Sequence, residues 1–159
     1  MKLAQIVDEL YRGPAWHGPS LRESIRGVTA AQAAWRPSPR RHNIWEIVVH
    51  AAYWKHVVRR RLTGRKEAFA FAGHDWFVRP GGPRTWRDDL RLLADEHRKL
   101  RASVAAMTPE ERRRVLPRRR DTAGANAFGV AVHDAYHAGQ IGLLRKLLAN
   151  EEREGRKGR

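Results

Sequence analysis

The chain has 159 residues, 42% of them apolar, with 32 basic residues against 17 acidic, a net charge of +15 and no cysteine. Length and composition predict one globular domain with a real core, while the absence of cysteine excludes disulfides, thiolate metal sites and cysteine nucleophiles. No apolar run approaches the roughly 20 residues that span a bilayer, and the charged N-terminus lacks the apolar region of a signal peptide, so a soluble cytoplasmic protein is expected, with no membrane partner.

Residues 2–12 read as a first short helix, broken by "GPAWHGPS". Ser20 caps a short helical turn in "LRESI", with Glu23 three residues on. "PSPRRHN" is a loop, after which Asn43 caps the strongest early helix, over residues 44–62, ending in Arg residues and Gly64. Residues 63–84, holding "GHDWFVRPGGP", form a long connection in which Pro and Gly forbid regular structure. Thr85 with Asp88 opens a helix over 85–106 whose apolar face is Trp86, Leu90, Leu93, Leu100 and Val104. "TPEERRRVLPRRRDTAG" is a second long loop with one helical turn after Pro109. The last helix runs from about Asn126 to Leu148, completing a domain over 1–149, and the charged tail 150–159 is expected to fray. Four main helices define an all-α antiparallel bundle.

Of the 32 basic residues, 26 are arginine. Such a charge attracts nucleic acid or an anionic surface. However, Arg59–Arg61, Arg112–Arg114 and Arg118–Arg120 fall at a helix end and in a loop, not along one groove-reading helix. No nucleic-acid motif or aromatic strand platform accompanies them, so non-specific nucleic-acid binding is not the favoured reading.

The histidines carry the chemistry. His42, His56 and His74 lie in loops or beside charged neighbours and read as solvated imidazoles. His97 shares the spacing of the apolar stripe and reads as a core histidine with a satisfied ring. His50, three residues after Ile47 and four before Trp54, faces the bundle interior. His133 and His137 are four apart, so their rings leave one face of the last helix about 6 Å apart. Packing alone has difficulty satisfying three converging imidazoles, each with a donor or acceptor to place. A divalent metal would resolve this by taking one nitrogen from each ring. Spacing alone leaves packing and metal binding both open, since H-x-x-x-H recurs by chance. "HDAYH" also approaches the metalloprotease motif H-E-x-x-H, but Asp134 replaces the Glu and no third His follows. Asp134 itself reads as a surface acid or a supporting residue behind the pair.

"AWHGPSL", "RPSPRRHNIWEIVVHAAYWKHVVRRRLTG", "DW" at 75–76, "TWRDDLRLLADEHRKL" and "HDAYHAGQIGLLRK" occur in the order in which the DinB-like superfamily carries similar pieces, and the chain resembles that superfamily along nearly its whole length. The resemblance implies a four-helix bundle with up-down-down-up connectivity and a metal ion held by His50, His133 and His137. Some similar proteins use zinc to activate a low-molecular-weight thiol for transfer or isomerisation, and the working expectation is a metal-dependent transferase or hydrolase acting on a small-molecule substrate. Three imidazoles favour zinc or nickel over manganese. Pocket walls are expected from Trp16, His17, Trp54, Trp76 and Tyr136, with loop 63–84 as a lid. Gln140 either orients a ligand or hydrogen-bonds within the bundle. No general base is evident. The competing expectation is a non-catalytic stress-response protein that binds metal or a polyanion, and a homodimer is compatible with either.

Overall fold

The computed structural model describes residues 2–73, 75–79 and 82–157. Among them the chain forms helices α1 (Leu3–Arg12), α2 (Leu21–Ile25), α3 (Ala30–Ala34), α4 (Ile44–Thr63), α5 (Pro83–Ala106), α6 (Pro109–Arg113) and α7 (Ala123–Lys157). No strand occurs among the described residues, only an isolated bridge between Val115 and Thr122. The all-α expectation therefore holds. No described helix is long and apolar enough to cross a membrane.

Helix starts follow side-chain caps. Ser20 with Glu23 opens α2, Thr29 with Gln32 opens α3, and Thr108 with Glu111 opens α6, each as a reciprocal pair that satisfies two otherwise free backbone N–H groups. The Asn43 side chain accepts from the Glu46 N–H at 2.8 Å at the head of α4. That helix stops at Gly64, whose φ of 70° is the left-handed conformation that favours glycine. Pro83 stands at the start of α5, two residues earlier than expected, where its missing N–H costs nothing.

Two expectations need correction. The five-residue α3 is absent from the sequence reading. The tail does not fray: α7 runs on through residues 150–157. "EEREGRK" contains no Pro, most of its residues are good helix formers, and the Arg153 guanidinium donates back to the Ala149 carbonyl at 3.2 Å.

The core lies where the stripes meet. α4 packs against both α5 and α7, and α7 also packs against α1, α2 and α6. Trp86, Leu93, Leu100 and Val104 from the α5 stripe are buried and Leu90 is half-buried. Buried tryptophans keep their N–H groups bonded: Trp45 donates to Asp89 at 2.7 Å and Trp86 to the Val28 carbonyl at 2.9 Å. Arg145 of α7 donates to the carbonyls of Ser24 (2.7 Å) and Arg26 (3.3 Å), tying the α2–α3 connection to the last helix.

One buried pair departs from ordinary core chemistry. Lys55 of α4 and Asp134 of α7 form an ion pair with both side chains 0% exposed. Burial pushes the Lys55 amine down and the Asp134 carboxyl up, while their mutual attraction opposes both. Asp134 is thus not the surface acid that the sequence allowed.

Candidate metal centre

Packing α4 beside α7 brings His50 against His133 and His137. The Nε2 atom of His133 lies 3.2 Å from that of His50 and 2.9 Å from that of His137. The other ring nitrogens decide the tautomers. His50 Nδ1 is 2.8 Å from the Asp75 carbonyl, and His137 Nδ1 is 2.7 Å from Gln140 Oε1. Both partners can only accept, so both Nδ1 atoms carry hydrogen and both Nε2 atoms present bare lone pairs. Gln140 in turn donates from Nε2 to the Tyr136 hydroxyl at 3.0 Å. His133 Nδ1 is buried with no hydrogen-bond partner among the described residues.

Three imidazole nitrogens around one point are the donor set of a divalent transition metal. Metal–nitrogen bonds of about 2.0–2.1 Å place tetrahedral ligands about 3.3 Å apart, close to the 2.9 and 3.2 Å seen here. Burial, followed by the neighbouring imidazoles, holds His133 down at about 3. Burial likewise holds His137 at about 4, against a hydrogen bond to Gln140 that raises it. His50 is shifted down by burial as well. All three rings are therefore neutral near pH 7 and can act as ligands without first losing a proton.

Aromatic rings brace the cluster. Trp76 lies between two imidazoles, stacked on His50 at 3.9 Å and on His42 at 3.5 Å. Trp54 meets both His50 and His133 edge-on. The three histidines open into a cavity of about 680 Å³. Ile47, Leu143, Leu144 and Leu147 give it an apolar wall, and Arg41 and His42 line it as well.

The expected pocket residues divide. Trp76, Tyr136 and Gln140 line this cavity with the triad. Trp54 stands on the other flank of His133, in a separate cavity of about 350 Å³, with the Arg61 guanidinium over its ring. Trp16, 94% exposed, and His17, also exposed, line neither. Pro14, Gly18 and Pro19 hold them in a surface loop away from the bundle. The described part of connection 63–84 is no free lid, because Phe69 and Phe77 pack against Tyr53 of α4.

Other histidines also differ from expectation. His56 is buried rather than solvated, with Nε2 3.1 Å from the Glu67 carbonyl. His97 is the expected core residue, stacked on Tyr11 and bonded through Nε2 to Asp8 at 3.0 Å, but its ring is only half satisfied, since Nδ1 is buried with no partner among the described residues. His74 lies outside the described residues. His42, passed over as a loop residue, lines the cavity and places Nδ1 2.9 Å from Glu46 Oε2. Burial alone would raise the Glu46 carboxyl, but bonds from Arg36 and His42 hold it below its ordinary value. The signal was present as H-x-x-x-E across a helix start.

A helical bundle that gathers one histidine from α4 and an i, i+4 pair from α7 defines a class of three-imidazole proteins able to hold a metal ion. The chain belongs to the DinB superfamily, whose family profile matches residues 16–141 and so takes in all three histidines. Comparison with curated proteins and with solved structures gives no match.

Proposed function

We propose that this protein binds a divalent metal ion, zinc or nickel, through His50, His133 and His137, and acts as a metal-dependent transferase or hydrolase on a small molecule, with a low-molecular-weight thiol as co-substrate in the transferase case. The observation that carries this reading is the convergence of three Nε2 atoms, two with their lone pairs fixed inward by acceptors at Nδ1. Three imidazoles leave a fourth position open, and the chemistry an ion supplies there is a lowered pKa, about 7, for a bound water or thiol.

The chain's own residues supply the rest. Asp75 and Gln140 hold two of the ligand rings in orientation. His42, held through Nδ1 by Glu46, stands in the cavity wall as the group placed to exchange a proton with a bound molecule. The wall of Ile47, Leu143, Leu144 and Leu147 receives an apolar body and excludes water, while Arg41 suits an anionic end.

Metal analysis of the untagged protein tests the centre: one equivalent is expected, and it should be lost in His133→Ala. A screen pairing low-molecular-weight thiols with electrophiles, and hydrolysable esters and amides without thiol, tests catalysis. Metal-loaded protein inert in all of these would favour a second reading, suggested by the +15 charge: a non-catalytic stress protein binding metal or a polyanion.

A further inference from the structure

We propose that a second cavity, formed by α1, the α2–α3 connection and α5, binds a small organic phosphate. The cavity encloses about 670 Å³ and shares no lining residue with the histidine site. Arg12, Arg22, Arg26 and Arg91 line it, and among the described residues no carboxylate does. Arg12 and Arg91 are engaged by Asp8 at 3.1 Å and Asp88 at 2.9 Å, each through one nitrogen. Arg22 and Arg26 have no carboxylate within 4.0 Å among the described residues. The nearby Glu23 is committed to the cap of α2, where it accepts from the Ser20 N–H and hydroxyl, both at 2.9 Å.

Arg22 and Arg26 bring two charges without a carboxylate partner among the described residues to a cavity already lined by two paired guanidinium groups, and an anion offsets those charges. A phosphoryl group presents up to two charges and three acceptor oxygens to such forks, and a lone carboxylate neutralises less. Size and floor select an organic body. The volume falls in the range of small-molecule sites, and Tyr11, Ile25 and Leu90 give the cavity an apolar surface. The frame is fixed in advance: Arg145 holds the carbonyls of Ser24 and Arg26, and Trp86 holds that of Val28. A wall ordered before the ligand arrives loses less freedom on binding.

A basic cleft at the end of α4 supplies an internal control. Arg60, Arg61, Arg65 and Lys66 line it, but its volume is about 320 Å³ and Val57 is its sole apolar side chain. If charge alone governed binding, the two sites would behave alike.

Calorimetric titration of the full chain with adenosine diphosphate and with inorganic pyrophosphate distinguishes these cases. One nucleotide per chain is expected, bound roughly tenfold tighter than pyrophosphate because of the apolar floor. Replacing the two arginines that lack a carboxylate partner among the described residues, Arg22→Gln with Arg26→Gln, should weaken nucleotide binding by about tenfold or more, and Arg60→Gln with Lys66→Gln should leave it within about twofold. Metal content should be the same in both double variants, so failure here leaves the histidine centre untouched. The proposal is overturned if neither probe binds, if pyrophosphate binds as tightly as the nucleotide, or if both double variants lose binding equally. Displacement of the nucleotide by double-stranded DNA would make the phosphate backbone the occupant and also overturn it.

Discussion

His133 Nε2 stands 2.9 Å from His137 Nε2, with the two rings nearly perpendicular at 88°. At most one of these nitrogens carries hydrogen, and the His50 lone pair joins them from the other helix. A cation between them would engage all three nitrogens at once, whereas one hydrogen on His133 Nε2 has two lone pairs to serve. Alanine at any of the three positions should abolish stoichiometric metal binding, whereas His97→Ala should retain it. Gln140→Leu, which removes the acceptor behind His137, should weaken metal affinity by about 10–100-fold. Competition with a chromophoric chelator reads both, and wild-type affinity in His133→Ala would refute the assignment.

The Lys55–Asp134 pair makes a sharper demand on stability. Removing one partner strands a charge in a site that is 0% exposed, so Lys55→Met or Asp134→Leu should each cost about 3–5 kcal/mol. Replacing both together should cost far less, because two apolar side chains need no counter-charge. Urea denaturation of the two singles and the double gives the coupling directly. Additive effects would show that the pair is not acting as a unit.

His97 predicts a pH dependence of folding. Burial first, then the Lys55 charge, lowers its pKa from 6.5 to about 4, against the hydrogen bond to Asp8. The folded state therefore keeps the ring neutral while the unfolded chain takes up a proton below 6.5. Stability contributed by the neutral ring is complete above pH 6.5 and is lost as pH falls towards 4, by up to about 3 kcal/mol. His97→Phe retains a ring against Tyr11 and removes the titration. Its stability should fall less steeply than wild type across that window in acid-range urea melts, and parallel curves would contradict the assignment.

The helical tail should be dispensable. Residues 150–157 are exposed throughout and extend α7 past the last buried side chain, Leu144. Truncation after Asn150 should change unfolding free energy by no more than about 0.5 kcal/mol and leave metal content unchanged. A loss of several degrees in melting temperature would show that the tail packs on something.

The sequence disclosed the features whose signals are local. Ser20 and Asn43 announce helix starts through short-range capping, Pro109 does so as a residue suited to a first helical position, and the α5 stripe announces its buried face through spacing. α3 escaped notice because "AAQAA" has no apolar period, although Thr29 and Gln32 carried the cap signal. His133 and His137 are visible from their spacing, but their joining to His50 needs α4 beside α7, which came from family resemblance. Non-local features stayed hidden. Lys55 and Asp134 are 79 residues apart and each reads as a surface charge. His42 gains its place only when Trp76 arrives from the following connection to lie between it and His50. Trp16 failed in the opposite direction, since an aromatic residue in a Gly/Pro loop carries no information about which way the loop turns.

The many partners of α7 bear on how the protein is made. α1, α2, α4 and α6 all rest on a helix that begins at Ala123, so the ribosome has released most of the chain before the common wall exists. Until then α4 and α5 can pack on each other and on α1 and α3, but the apolar surfaces meant for α7 stay open to chaperones or to neighbouring nascent chains. The two halves of the histidine cluster therefore meet only when α7 docks.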